Sequence, residues 1–271
     1  METGLAGRTA IVTGGNANIG RGISLAFGAE RANVVIVGRD AAQGQRVLEQ
    51  AREAGAKDAL WQAADVTDRA QVDQMVATVL EQFGAVDVLV NNVGGNVDFD
   101  FFVDSDPHTW DQDIALNITS TLNCTHAVLP GMVDRTSGRI INIGSTAGLI
   151  GDTMLAVYSA MKGAVHAFNR VLAKEVGKHG ITVNAIAPYG TLPDDYEHDV
   201  SSGSRFHPDG VIARAYATRA AELSTIGRRT VLERQTAFPS EIGAAAVYLA
   251  SDAAAFVTGQ VLTVDGGTLL A

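Results

Sequence analysis

Seven apolar runs rich in β-branched residues alternate with segments of helical period, and the first run ends in a glycine-rich turn. Together these predict an α/β fold: a doubly wound sheet of seven mainly parallel strands with helices on both faces. Parallel neighbours need long crossovers, which the helical segments supply. A glycine turn between the first strand and first helix is where such sheets bring backbone amides close to phosphate groups.

The first strand is expected over 9–13. Gly14, Gly15, Asn16, Ala17, Asn18, Ile19 and Gly20 form the turn, and Ile23, Leu25, Ala26 and Phe27 give the following helix its apolar stripe. The second strand is expected over 33–38, with Arg39 and Asp40 just beyond it. A carboxylate at this tip suits two ribose hydroxyls, whereas an arginine suits a 2′-phosphate. Gly38 holds the tip and Arg39 follows, which leans toward NADP, and Asp40 weakens that lean. A helix over 41–54 leads to a third strand over 59–63. Asp65 and Val66 follow it, where they would border an adenine ring, and Thr67 and Asp68 are candidate caps for the next helix.

The fourth strand is expected over 86–90, running into Asn91, Asn92, Val93, Gly94 and Gly95. Polar groups past a strand's carboxyl end point into the ligand crevice, although an asparagine there also serves as a plain loop cap. Asp106 and Pro107 open a long helix carrying Trp110, Ile114, Leu116 and Asn117, and Pro130 and Gly131 mark its expected end. The fifth strand is expected from Arg139 to Ser145, the sixth over 181–187, broken by Pro188, and the seventh over 260–264. Residues 190–238 differ in character, with an acidic stretch near 194–199 and then Arg205, Arg214, Arg219, Arg228, Arg229 and Arg234. A long segment of this kind is expected to be a substrate lid. Its arginines either balance nearby acids or pair a carboxylate or phosphate handle on the substrate.

The chain has 271 residues, 46% of them hydrophobic and 18% charged, so a large core is available and disorder is excluded. One domain over 1–271 is expected to carry cofactor and substrate together. A formal net charge of −10 argues against nucleic acid and anionic membrane as partners. The single cysteine, Cys124, has no internal disulfide partner, no basic segment leads into an apolar one at the start, and no apolar run reaches the ~18–20 residues of a membrane span. The expected compartment is the cytoplasm, and no metal is expected.

Tyr158 and Lys162 are four positions apart, so a helix presents both on one face. Ser145 ends the apolar run before them. A lysine ammonium one turn from a tyrosine favours the phenolate and brings its proton affinity toward neutrality. Interconverting an alcohol and a carbonyl needs such a group.

With these residues in place, the chain resembles the short-chain dehydrogenase/reductase family of single-domain, Rossmann-type enzymes. The likeness runs from the glycine turn through the Asn91–Gly94 segment to the stretch Val257–Gly267 and covers essentially the whole length. It implies an NAD(P)-dependent oxidoreductase acting on a secondary alcohol or ketone. It further implies a catalytic set of Asn117, Ser145, Tyr158 and Lys162, with Tyr158 as acid and base. The implied cofactor residues are Gly14, Asn16, Asn18, Ile19, Gly20, Arg39, Asp65, Val66, Asn92, Gly94, Tyr158, Lys162, Pro188, Tyr189 and Thr191. Val93, Thr146, Leu149 and Leu155 would lie near the substrate, and a homotetramer is implied, with 268–271 as part of an interface. Four positions depart from the pattern. Asn18 replaces the middle glycine, Ala17 stands where NADP-dependent members often carry a basic residue, Tyr189 replaces a glycine, and Pro193 stands where a threonine is usual. Asn18 and Tyr189 leave open a second reading, a cofactor-binding sensor or inactive partner subunit of the same fold.

Overall fold

The computed structural model describes residues 2–201 and 204–270; Met1, Ser202, Gly203 and Ala271 lie outside them, including two positions of the expected lid and the last of the expected interface tail. Seven strands form one parallel sheet in the order β3-β2-β1-β4-β5-β6-β7. They are β1 Thr9–Thr13, β2 Asn33–Gly38, β3 Asp58–Ala63, β4 Val88–Asn91, β5 Gly138–Ile143, β6 Ile181–Pro188 and β7 Val261–Val264. The chain winds outward from β1 to β3, then returns to place β4 on the other side of β1. The strand order therefore reverses between β1 and β4, and a crevice opens at their carboxyl ends.

Alternation along the strands feeds two cores. Val12, Val34, Ile36, Val88 and Val90 point to one face, against Ile23 and Phe27 of α1 (Asn18–Ala29), Val47 and Ala51 of α2 (Ala41–Ala54) and Ile242 and Ala246 of α9 (Pro239–Ala250). Ile11, Val35, Val37 and Leu89 point to the other, against Val72 and Met75 of α3 (Arg69–Phe83), Val128 and Met132 of α5 (Ser120–Asp134) and Leu172 and Val176 of α7 (Ala156–Val176). Each large aliphatic side chain so buried contributes about 1.5–3 kcal/mol.

Three carboxylates start helices. Asp40 accepts from the Gln43 amide at 3.1 Å, Asp68 from the Ala70 amide at 2.9 Å, and Asp106 from the His108 amide at 2.9 Å. Several expected boundaries move. β4 starts at Val88, β7 at Val261, and β5 stops at Ile143, so Ser145 sits in the turn beyond the strand rather than at its end. The helix expected to end at Pro130–Gly131 comprises α4 (Pro107–Ile114), a π-helical turn over Ala115–Thr119 and α5, which continues to Asp134. Pro130 removes one backbone donor, but Met132 beyond it is fully buried, and that packing outweighs the lost bond. The expected lid contains a helix of its own, α8 (Val211–Ile226), kinked at Arg219.

Candidate active site

The glycine turn is locked from below by the end of β4. Thr13 Oγ1 accepts from the amides of Asn92 and Val93 at 2.9 and 3.2 Å, and Asn92 Nδ2 donates to the carbonyls of Thr13 and Gly14 at 2.9 and 3.2 Å. Gly14 has φ +61°, and a Cβ on Gly20 would stand 2.0 Å from the Gly14 carbonyl oxygen. No larger residue fits Gly20, so backbone lines this part of the crevice. Asn18 takes φ 41°, the left-handed conformation that asparagine tolerates, so the departure at this position leaves the turn intact.

A cavity of about 290 Å³ opens beside the turn, lined among others by Gly14, Asn16, Gly38, Arg39, Asp65 and Val66. A Cβ on Gly38 would stand 2.4 Å from Asn16 Oδ1, so a larger residue at the strand tip would have to displace the Asn16 side chain. The Asp40 carboxylate caps α2, and Arg39 lies 3.5 Å from Asp65 across the cavity mouth. Burial works to raise the Asp65 carboxyl, but hydrogen bonds from Thr67 and the charge of Arg39 outweigh it and hold it below its ordinary value. Buried Asn18 Oδ1 and Thr191 Oγ1 have no hydrogen-bond partner among the described residues. A ligand carrying both donors and acceptors would satisfy them. The cradle without side chains, the adenosine-sized cavity and these two oxygens fit a dinucleotide cofactor.

Farther along the crevice, Ser145, Tyr158 and Lys162 come together as expected. Tyr158 and Lys162 are buried on α7, and Lys162 Nζ donates to the Ile143 carbonyl at the end of β5 at 2.8 Å. The ammonium lies 5.7 Å from the centre of the Tyr158 ring. Burial works to raise the phenol, but the charges of Lys162 and Arg205 and contacts from Ser145 and Arg205 outweigh it, so its proton affinity falls below that of free tyrosine. Lys162 is itself lowered, by burial first, with the Tyr158 partner opposing and Arg205 adding to the effect.

Asn117 reaches this corner through the π turn. The extra residue in the turn lets its side chain point inward, where Nδ2 donates to the carbonyls of Gly95 (2.6 Å) and Asp113 (2.8 Å) and Oδ1 accepts from the Gly95 amide (3.1 Å). A Cβ on Gly94 would stand 2.7 Å from Lys162 Nζ and 2.8 Å from Asn117 Oδ1, so Gly94 separates the two at close quarters. Pro188 ends β6, and the Tyr189 hydroxyl bonds the backbone of Arg228 instead of standing open in the crevice. Ile19 is half-buried at the start of α1.

Asn91, expected in the crevice, instead bonds Thr125 and Asn142 in the interior, and its partners Asn142 and Asn169, like Asp113, were not singled out by sequence reasoning. Asn91, Asn142 and Asn169 form a buried ladder across β4, β5 and α7: Asn91 Nδ2 donates to Asn142 Oδ1 at 2.9 Å, and Asn142 Nδ2 to Asn169 Oδ1 at 3.2 Å. Asn142 was visible as a polar residue inside an apolar run. Asp113 is buried, and burial pushes its carboxyl up to about 6 while the Val97 amide pulls against it. Segment 190–238, the expected lid, has contacts on both sides of the crevice. On the α1 side, Arg21 meets Asp199 at 3.0 Å, Gln43 donates to the His198 carbonyl at 2.6 Å, and the Asn18 amide donates to the Asp199 carbonyl at 2.9 Å. On the Tyr158 side, Arg219 meets Asp100 at 2.5 Å, Arg228 meets Asp152, and Arg205 lies over the Tyr158 ring.

Comparison with known proteins agrees with this geometry. Residues 8–202 match the family described as short chain dehydrogenase, and residues 209–268 match the family described as enoyl-(acyl carrier protein) reductase. The chain is 35% identical over 268 residues to a D-beta-hydroxybutyrate dehydrogenase of Cupriavidus necator, covering 97% of this chain and 98% of that protein. It is 33% identical over 271 residues to a 3-oxoacyl-[acyl-carrier-protein] reductase of Synechocystis, covering 99% of each. It is 34% identical over 267 residues to 2-(S)-hydroxypropyl-CoM dehydrogenase 3 of Xanthobacter autotrophicus, covering 98% of each. With a seven-stranded parallel sheet, a glycine cradle and a buried serine–tyrosine–lysine corner, the chain belongs to the short-chain dehydrogenase/reductase family and is an NAD(P)-dependent oxidoreductase that interconverts alcohols and ketones.

Proposed function

We propose that Tyr158 is the proton donor in ketone reduction and the proton acceptor in alcohol oxidation. The observation that carries this is a buried phenol held between an ammonium, a guanidinium and the Ser145 hydroxyl. When bound, the nicotinamide cofactor supplies or accepts the hydride at the substrate carbon. Ser145 hydrogen-bonds the same substrate oxygen and fixes it within reach of the phenol. Lys162, anchored on the Ile143 carbonyl, stabilises the phenolate left after proton donation. Asn117 shapes the wall at Gly95 and carries a water path toward Lys162. Gly14, Asn16, Asn18, Ile19, Gly20, Asn92, Gly94, Pro188, Tyr189 and Thr191 would hold the cofactor, with Asp65 and Val66 at its adenine. One domain carries both sites, and residues 190–238 form the lid.

Between the two cofactors, the proposal is NADP(H). Asp40 is engaged as a helix cap, Gly38 presents no carboxylate at the strand tip, and Arg39 stands at the mouth of the adenosine cavity. Parallel titrations with NADPH and NADH should show at least ~10-fold tighter NADPH, lost in Arg39→Ala; equal affinities would reverse the assignment. A homotetramer in the cytoplasm is the proposed state. Apolar Leu122 and Val171 on α5 and α7, and Phe256, Leu262 and Leu270 around β7, stand exposed on the single chain. Sedimentation at micromolar concentration as a monomer would overturn it. The catalytic assignment is tested by Tyr158→Phe. Turnover should fall ~1,000-fold or more while cofactor affinity stays within about threefold. Undiminished turnover would remove Tyr158 from the proton step.

A further inference from the structure

The lid arginines divide into two groups. Arg219 pairs with Asp100 and Asp104, Arg228 with Asp152, and Arg234 with Glu241, so these balance nearby acids. Arg214 points away, donating to the Asp209 carbonyl, and Arg229 is exposed. Arg205 belongs to neither group. Its guanidinium lies 5.8 Å from the centre of the Tyr158 ring and 5.0 Å from that of Phe206, between two aromatic faces that fix its plane. No carboxylate of the described residues comes within 4.0 Å of it, and Asp152, which senses its charge, is held by Arg228. One N–H goes to Asn96 Oδ1 at 3.3 Å and another contacts the Tyr158 hydroxyl. A guanidinium has five such donors, arranged to bind two oxygens in parallel.

The geometry points to Arg205 as the residue that selects an anionic substrate, a short oxo acid or hydroxy acid whose carboxylate lies one or two carbons from the reacting carbon. This rests on the oxidoreductase reading of the same corner and adds to it the substrate class. Spacing sets the chain length. The guanidinium and the phenol oxygen meet at one corner, so the two groups they hold must be close in the substrate. Charge favours a carboxylate over a phosphate. One guanidinium lies over Tyr158, while Asp98, Asp100 and Asp113 line a pocket beside the same tyrosine, and a dianion would meet more repulsion from those acids than a monoanion. Arg205 lies between the two family matches, which cover residues 8–202 and 209–268.

The test measures kcat/KM for 2-oxobutanoate and 3-oxobutanoate, each against its methyl ester, in the wild type, Arg205→Met and Arg205→Lys. Because Arg205 also touches the phenol, both rates fall in the variants, and the discriminating quantity is the acid-to-ester ratio. For the preferred acid this ratio should fall ~100-fold in Arg205→Met, mostly through KM, and ~10-fold in Arg205→Lys, which keeps charge but loses the fork. Propionate should inhibit ester reduction competitively in the wild type and not in Arg205→Met. A ratio unchanged within threefold overturns the inference while leaving the oxidoreductase reading in place. Wild-type enzyme that reduces neither the acids nor the esters overturns the inference, and only loss of cofactor binding as well would count against the oxidoreductase reading.

Discussion

Lys162 and Arg205 both press on the Tyr158 phenol, and the protein holds them in opposite ways. Lys162 comes from the middle of a 21-residue helix, is buried, and is tied to a strand carbonyl. Arg205 comes from the proposed lid, which is tethered by two half-buried ion pairs and one exposed one. The first cation belongs to the fold itself, and any sequence that builds this sheet and helix positions it. The second depends on where an irregular segment crosses the crevice. On the proposed reading, proton chemistry is written into the core, and the choice of substrate hangs on a part that can change without disturbing it.

The largest expected break falls on the core side. Lys162→Met removes the charge beside Tyr158 and leaves the buried Ile143 carbonyl without its donor. We expect kcat to drop ~100- to 1,000-fold and unfolding free energy to fall by about 1–3 kcal/mol, read by steady-state kinetics and denaturant melts. Next comes Gly94→Ala, which places a methyl 2.7 Å from Lys162 Nζ. A displacement of that order should cost ~10- to 100-fold in kcat/KM with little change in melting temperature. If Gly94→Ala behaves like wild type, the core side is less rigid than the contrast requires.

The lid side should respond more gently. Arg219→Ala loses a half-buried pair with Asp100 and should raise KM about 3- to 10-fold with kcat within twofold. Arg234→Ala loses an exposed pair and should change stability by less than about 0.5 kcal/mol in the same melts. Between these stands Asp113, whose carboxyl burial raises from an ordinary 3.8 to about 6. Its folded-state proton affinity exceeds that of the unfolded chain, so its contribution to stability is full at low pH and is lost as pH rises through about 4 to 6. Asp113→Asn should therefore gain on the wild type by about 2–4 °C in Tm between pH 4.5 and 7.5. A difference that stays flat across this range would mean the carboxylate is solvated.

Most of the core side was legible in the sequence because its signals are local. Val34 to Val37 read as a strand by composition, Tyr158 and Lys162 by spacing, and Gly14 and Gly20 by the turn they permit. Boundaries slipped where pairing decides them. Gly144 still bonds the Ile186 carbonyl at 2.7 Å, but Ser145 has already turned away, and no feature of residues 139–145 announces that. Asn117 was visible as a polar residue in an apolar stretch, yet the π turn that swings it inward has no sequence period of its own. The lid was the least legible part. Six arginines look alike in sequence, and only the path of the chain shows that Asp100, Asp152 and Glu241 neutralise three of them while Arg205 lies over a phenol.

The bond from the Asn18 amide to the Asp199 carbonyl gives the lid a part in timing. If the cofactor seats a phosphate at the start of α1, as proposed, it would claim the same donor, and cofactor and segment 194–199 would be rivals for one N–H. The loop would then have to step aside before the cofactor seats, and the apparent affinity would be reduced by the fraction of molecules in which it has done so. Observed binding rates in stopped flow should then level off at high cofactor concentration, at the loop's own opening rate. Asp199→Ala, which removes the shorter of Arg21's two ion pairs to the loop and leaves the one to Asp194, should lift that ceiling.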